Sequence, residues 1–515
     1  MKKYLLPLAF MFSGALGHAA QPNVIVILSD DVGYGDVSCQ GATRISTPNI
    51  DKLAAEGLRF TDAHSTASTC TPSRYSLLTG SYAFRNRKAV ILAGNAPLVI
   101  PPGSPTLPAM MKQAGYATGF VGKWHLGVGD GNINWNKPIS PGPDEIGFDY
   151  SYYLPATPDR TPCVYIENHE VQNLTASDPL SVNYKFKIGN EPTGRDHPEM
   201  LRYPADPQHS GTIVDRISRI GWMAGGHSAW WKDEDMAEIF EAKAAAFVEQ
   251  HKGQPFFLYY APHEVHVPRA PNDRFLGTSQ CGIRGDSMEE LDYTVGKFMA
   301  DLKRMGVLEN TLIVFSSDNG PIVNDGYGDG SEKHLNGHKP AGPYRGGKYQ
   351  IYEGGTRLPF IVYWPGKVAP GVSSALVSQV DLYASLADLV GMPAAAKARP
   401  DSVDLLPALL GRSQTGRTDY VEQSQPDFAL REGTWKYILA KGRQPGRAAA
   451  LEEGDYRTAA YRPEKPGEIL YDLSNDPGEK KNVIAQHPEI AARMKAVLLA
   501  RMAGSPYEGN ANPVQ

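Results

Sequence analysis

The chain has 515 residues, with 51 Lys plus Arg against 56 Asp plus Glu, a formal charge of −5 at pH 7, and 41% hydrophobic and 21% charged residues. That balance describes a folded protein and excludes a disordered or fibrous one. The acidic sign excludes a general nucleic-acid coat, whose affinity needs a basic surface, yet leaves room for a local cationic pocket.

Residues 1–20 read as an export leader: Lys2 and Lys3, then the apolar "YLLPLAFMF", then the small residues "SGALGHAA", with cleavage after Ala19 or Ala20. Losing the leader takes the charge from −5 to −7, because two lysines and no acid go with it. No later stretch approaches the roughly 18 apolar residues of a membrane span, so the expectation is an exported protein, periplasmic or secreted. In an oxidising compartment Cys39, Cys70, Cys163 and Cys281 allow three pairings; with one cysteine reserved for chemistry at most one pair forms, Cys163–Cys281 being the pairing to test.

The mature chain opens with "NVIVIL", a β-branched run that predicts a buried strand ending at Asp30-Asp31. "STPNIDKLAAEGLRF" predicts a helix capped by Thr47, opened by Pro48 and stopped at Gly57. A helix is expected from Pro72 to Gly80, another in "SPTLPAMMKQAG", then a strand in "YATGFVGKWHLG". Residues 233–251 predict an amphipathic helix, "PFFLYYAPHEVHVP" a strand ending in a His-bearing loop, "SMEELDYTVGKFMADLKRMG" a helix, "TLIVFSSDNG" a strand running into an acidic turn, and "LPFIVYWPG" one more strand. Strands alternating with helices argue for an α/β fold with a large, mostly parallel, doubly wound sheet. Ligands of such sheets gather at the carboxyl ends of strands, where Asp30-Asp31, Lys123/His125, His263 and Asp318-Asn319 all fall.

The pattern weakens over residues 151–232, read as an insertion over the active face, in which Trp222, Trp230, Trp231, Arg216, Arg219 and His227 are either sugar-gripping residues or ordinary core and rim. Past Pro400 short strands and a helix near 487–502 predict a smaller α+β unit. The expected division is a catalytic domain over 21–395 and a C-terminal α+β subdomain over 396–515.

Cys70 stands at a helix start, where backbone N–H groups favour an anion, and Arg74 lies one turn on. Cys70-Thr71-Pro72-Ser73-Arg74 with Leu77-Leu78-Thr79-Gly80 resembles the signature of the type I, formylglycine-dependent sulfatases. "TPNIDKLAAEG", "GYATGFVGKWHLG", "SSDNGP", "RGGKYQIYEGGTRLPFIVYWPG" and "LYDLSNDPGEKKN" resemble further blocks of that family, in its order, from Asn23 to Asn482. The resemblance implies an alkaline-phosphatase-like scaffold and oxidation of Cys70 to formylglycine (3-oxoalanine) by a formylglycine-generating or sulfatase-maturating enzyme.

Asp30, Asp31, Asp318 and Asn319 offer only oxygen, which suits a hard cation wanting about six to eight oxygens and not zinc. With Cys70 contributing its oxidised oxygen, the resemblance implies one Ca²⁺, ahead of Mg²⁺. Three carboxylates, a divalent cation and Arg74, Lys123 and Lys348 together leave a pocket of charge +2 for a sulfate monoester. The family's chemistry implies that the hydrated aldehyde at position 70, held by Arg74, attacks sulfur to give a covalent sulfo-enzyme while Lys123 and Lys348 neutralise the sulfate oxygens. His263, with Lys348, protonates the departing alcohol, and His125 takes the proton that lets sulfate leave. His266, in "HEVH", is left outside this set. The expected substrate is a sulfated saccharide attacked from its end, such as 6-O-sulfated galactose or N-acetylgalactosamine. The alternatives are a phosphomonoesterase or phosphodiesterase on the same scaffold, disfavoured by the His-free metal set and the Cys, and a glycan-binding protein without turnover, disfavoured by the complete set of site residues.

Overall fold

Seven consecutive buried residues, Asn23–Ser29, form the middle of the molecule's main sheet. A strand buried on both faces needs a continuous apolar run, which "NVIVIL" supplies. The computed structural model describes residues 21–393, 395, 399, 401–441 and 467–503. The expected leader and part of the expected boundary near residue 395 lie outside the described residues.

The main sheet has ten strands in the order Gly371–Ser373, Leu58–Phe60, Phe360–Tyr363, Thr311–Ser317, Asn23–Ser29, Phe256–Ala261, Ala117–Lys123, Tyr150–Leu154, Ile166–Glu167 and Glu170–Val171. Thr311–Ser317 through Tyr150–Leu154 run parallel, neighbour to neighbour. Phe360–Tyr363 is antiparallel to both of its neighbours, so the sheet is mixed toward that side. Its parallel strands cross over through helices that flank it, as the alternating pattern predicts. Tyr150–Leu154, Ile166–Glu167 and Glu170–Val171 extend the sheet out of the stretch read as an insertion, whose short strands hid among its aromatics.

Several expected boundaries shift. Thr47 stands at the N-cap of helix Pro48–Glu56, but its hydroxyl bonds Asp51 rather than a helix N–H. The exposed amides of Asn49 and Ile50 are instead taken by Asp292, at 3.0 and 2.8 Å, from the Gly282–Arg304 helix. The cap is tertiary, and local spacing could not show it. The helix expected from Pro72 begins at Cys70 and runs to Thr79, so Cys70 is its first residue rather than its preceding neighbour. All four cysteines are free, which overturns the Cys163–Cys281 pairing: Cys163 packs beside Arg160 O and Met223 Sδ, Cys281 beside Arg44 O and Leu335 O.

A second sheet of four antiparallel strands, Asp419–Gln423, Phe428–Glu432, Trp435–Ala440 and Gly467–Asp472, packs with helix Pro488–Met502. It meets the main body through apolar contacts, Tyr82 and Phe84 on one side and Ile351 and Tyr352 on the other, and through a buried ionic cluster. Lys436 is buried with its Nζ 3.1 Å from Glu353, 3.0 Å from Glu422 and 3.4 Å from Glu479. Glu353 also takes Arg357 at 2.8 Å and Arg431 at 3.2 Å. Burial, opposed by Lys436, holds the Glu479 carboxyl above the ordinary carboxylate range, so it keeps its proton near neutrality.

Removing one partner of a buried ionic cluster leaves uncompensated charge, at about 3–5 kcal/mol. Lys436→Met is therefore expected to lower the urea unfolding free energy by about that much, and an unchanged midpoint would show that the carboxylates need no cation there.

Candidate functional site

Four neighbouring strands, Thr311–Ser317, Asn23–Ser29, Phe256–Ala261 and Ala117–Lys123, end on one edge of the sheet. Each delivers polar residues there as the alternating pattern predicts: Asp318-Asn319, Asp30-Asp31, the 262–268 loop with His263, and Lys123 with His125. Gly122 lets the last two strands close up, since a β-carbon there would stand 1.9 Å from Ala261 O. Cys70 and Arg74 arrive on the helix Cys70–Thr79, and Lys348 on the segment before the Phe360–Tyr363 strand.

The structure brings all of the expected residues together, and buries them. Asp30, Asp31, Asp318, Asn319, Arg74 and Lys123 are each 0% exposed and Cys70 2%. Arg74 clamps Asp318 Oδ2 with Nε and Nη2, both at 2.9 Å, and bonds the Lys123 carbonyl at 3.0 Å. Lys123 Nζ lies 2.5 Å from Asp30 Oδ2, and Lys348 Nζ 2.9 Å from Asp31 Oδ2. Cys70 Sγ is 3.8 Å from Asp30 Oδ1. Asn319 donates Nδ2 to Asp31 Oδ1 at 2.7 Å, while its own Oδ1 is buried without a hydrogen-bond partner.

That orphaned oxygen tests whether a cation fits. Burial and the charges of Asp318 and Asp31 outweigh Lys123 and raise the Asp30 carboxyl well above its ordinary range. Burial also opposes ionisation of Asp318, but Arg74 prevails and lowers it. Crowded carboxylates and an unsatisfied amide oxygen in one buried place are a donor set for a divalent ion, and Asp30, Asp31, Cys70 and His266 present atoms all within 4.8 Å of one another. A hard cation matches the oxygens; the residues fit it.

The histidines differ. His125 bonds Leu92 O through Nε2 at 3.1 Å and leaves Nδ1 buried and unpartnered. His263 is held down to about 3 by burial and by Lys123, and His266 well below its usual value by burial, Lys348 and Lys123; both are neutral at rest. Sequence reasoning left His266 out, yet its Nε2 accepts from Lys348 at 3.0 Å. The "HEVH" spacing was its only signal. Lys348 thereby spends its protons on Asp31, His266 and Asp325, the last at 3.3 Å. Asp31, His125 and Tyr349 have φ of 58°, 54° and 70°, left-handed values costing about 1–3 kcal/mol each that persist only where the surroundings enforce them.

Beside this centre lies a group that local pattern did not reveal. Arg160 is held through Nη1 by Asp159 at 2.9 Å and Thr157 at 2.6 Å, and its charge is felt at His125. Asp159 lies 3.4 Å from His209 Nε2, and His209 Nδ1 lies 2.7 Å from Asp206. Of the aromatics and cations considered for sugar contact, Arg219 is buried against Asp233 at 2.5 Å and Trp231 is 3% exposed, so these two belong to the core. The Arg216 and His227 side chains are 66% and 53% exposed, and Trp222 and Trp230 are half-buried.

The family described as Sulfatase matches residues 22–392. The chain is 48% identical to an N-acetylgalactosamine-6-O-sulfatase of Bacteroides thetaiotaomicron, over 93% of each protein, and 33% identical to human arylsulfatase A over 96% of this chain and 90% of that one. A solved structure from work on glycosaminoglycan metabolism by Bacteroides thetaiotaomicron superposes with a TM-score of 0.89 at 47% identity, covering 94% of this chain and 99% of the other. No helix among the described residues is long and apolar enough to cross a membrane.

Two expectations follow from these charges. A divalent cation added to chelator-stripped protein should raise the melting temperature and, because the Asp30 carboxyl must ionise, release protons, read calorimetrically as heat that varies with the buffer; Asn319→Ala should shrink the thermal shift. Burial works against a charged His209, but Asp159 and Asp206 outweigh it and push the ring up to about 9. A folded value above the free value of about 6.5 means stabilisation fully present below that pH and lost as pH rises through about 9, on the order of 3 kcal/mol. His209→Gln should flatten the urea stability profile between those limits.

Proposed function

The chain belongs to the sulfatase family and is a sulfatase, and from that premise we propose that it acts on sulfated saccharide, removing the 6-O-sulfate of a terminal N-acetylgalactosamine or galactose. The observation that carries the chemistry is the buried meeting of three carboxylates and three cations, Asp30, Asp31 and Asp318 with Arg74, Lys123 and Lys348, around Cys70. The named activity of the 48% identical relative supports the substrate.

The cation is calcium in this reading, held by Asp30, Asp31, Asp318 and Asn319 with an oxygen at position 70. Cys70 is the residue converted to formylglycine by a maturating enzyme; burial and the Asp318 charge push its thiol pKa up, so the unmodified side chain is no thiolate nucleophile. When present, calcium supplies positive charge to the sulfate oxygens, and formylglycine supplies the oxygen nucleophile. The leader of residues 1–20 supports export to the periplasm or beyond. The chain divides, in this reading, near residue 395.

The remaining work falls to residues already in place. Once Asp30 ionises on cation binding, the three cations balance the three carboxylates, and the divalent ion leaves the pocket at +2, attractive to a monoester of charge −1. Lys123 and Lys348 are ammonium groups aimed at Asp30 and Asp31, and a sulfate oxygen entering there exchanges for one of those contacts. Arg74 has no such freedom: its fork is committed to Asp318 and the Lys123 carbonyl, and it fixes the geometry around position 70. His263 and the Lys348–His266 pair stand on the leaving-group side. The two histidines, neutral at rest, gain basicity from the arriving anion; His263 takes up a proton from solvent and hands it to the departing alcohol, a contribution of roughly 10²–10⁴-fold. His125, with Nδ1 unpartnered, is the base for the second half of the cycle. Arg160, positioned by Asp159 and close enough to His125 for its charge to be felt there, is in this reading a further cation for the substrate.

The test is sulfate release from defined sulfated saccharides by protein coexpressed with a formylglycine-generating enzyme, its peptide mass confirmed at position 70. Release from a terminal 6-O-sulfated galactosaminide, absent in Cys70→Ala and reduced at least about 100-fold in His263→Ala, is the expected result. Turnover by Cys70→Ala at the wild-type rate would overturn the mechanism, and release only from other positions would overturn the substrate.

A further inference from the structure

Residues 262–268 carry two histidines with different backing. His266 turns Nδ1 onto the Val267 carbonyl at 2.6 Å and Nε2 onto Lys348 at 3.0 Å. Behind His263 stands a carboxylate: Nδ1 is 3.4 Å from Glu264 Oε2. Nδ1 and both Glu264 oxygens are buried, and none of the three has a hydrogen-bond partner among the described residues. The Tyr260 hydroxyl is orphaned in the same way, and the carboxylate felt at Glu264's position, Glu290, is engaged by the Asn272 amide at 3.0 Å. The His263 side chain keeps 11% exposure; with Nδ1 shut in, that exposure belongs to the rest of the ring.

A buried carboxyl group without partners, which burial pushes up to about 7, is costly and calls for a use. The His263 ring is a donor within reach, and a small rotation of either group closes 3.4 Å to a hydrogen bond. We propose that Glu264 is a positioning residue for proton donation: it accepts the Nδ1–H of His263 throughout the reaction, so that the proton exchanged with substrate is always the one on Nε2. As the ester O–S bond breaks, sulfur passes to the attacking oxygen and the bond's electron pair stays on the saccharide oxygen. His263, neutral at rest, takes a proton from solvent onto Nε2 as the anionic ester binds; the departing oxygen takes that proton, and the imidazolium returns to neutral imidazole with Nδ1–H still on Glu264. A carboxylate behind an imidazole fixes tautomer and orientation, which a carbonyl, as behind His266, does without charge. The inference rests on the reading of the chain as a sulfate-ester hydrolase with His263 on the leaving-group side.

Two measurements test it, one without turnover. In Cys70→Ser protein labelled with 15N-histidine, the ring of His263 should show the Nδ1–H tautomer, and Glu264→Met should convert it to Nε2–H. In mature enzyme, rates across aryl sulfates of rising leaving-group pKa separate proton donation from folding. Glu264→Gln and Glu264→Met should stay within about 3-fold of wild type on 4-nitrophenyl sulfate, whose phenolate leaves unprotonated, with KM unchanged. On alkyl and saccharide sulfates kcat should fall by roughly 10²-fold, and His263→Ala should add nothing further. An equal loss across the series in both variants, or an unchanged tautomer, would overturn the role of Glu264. A mature wild type that opens no sulfate ester would overturn the underlying reading instead, and the tautomer would still be read.

Discussion

Everything at this site depends on one electrostatic constraint: three carboxylates share a fully buried space at the carboxyl edge of a parallel sheet. Charges so placed are tolerable only if paired or bound to a cation. Arg74, Lys123 and Lys348 meet that requirement from three directions, a helix start, a strand end and a distant loop. The sheet makes the meeting cheap in conformational terms, because parallel neighbours end together and their following residues converge without strain, apart from three left-handed positions at the centre. The same neutral balance makes the pocket a receptor: any divalent ion tips it positive, and an anionic ester is the natural complement. A protein of net charge −5 thus builds a cationic pocket without a basic surface.

The proton chemistry is set by burial. Each of the three histidines near the centre is held below its usual value, by desolvation first and by neighbouring lysines second. None carries charge before substrate arrives, which keeps the resting pocket from excess positive charge. Arrival of the anion makes the local field less positive, so proton donation is coupled to binding. Insertion residues add an arginine, Arg160, whose orientation is set by Asp159 and, through it, by His209 and Asp206.

Much of this was legible along the chain, for a physical reason. A strand buried on both faces must be an uninterrupted apolar run, and whatever polar residue follows it sits on the functional edge; Asp30, Lys123, His263 and Asp318 announce themselves in that way. Lys348, Cys70 and Arg74 were found by family resemblance. What stayed hidden depends on tertiary contact. His266 looks like any histidine two residues from a turn until Lys348 is brought to it. Arg160 and His209 have local acidic partners that look like any turn, and what joins them to the site, Asp159 to His209 and Asp325 to Lys348, comes from other segments. The capping of Asn49 and Ile50 by Asp292 is invisible for the same reason, and cysteine spacing holds no distance, so the Cys163–Cys281 pairing could not survive coordinates.

The C-terminal sheet grips the very segment that delivers Lys348. Glu479 accepts from the Glu353 amide at 2.7 Å and offers its carbonyl to Arg345, also at 2.7 Å, bracketing the lysine on both sides. During synthesis, then, a nascent chain can present its nucleophile and its acidic edge long before it can hold the third cation in register. The centre becomes complete only when almost the whole polypeptide has emerged and docked. A substitution at residue 479, remote from any chemistry when read along the chain, is in spatial terms a disturbance of the segment that delivers Lys348.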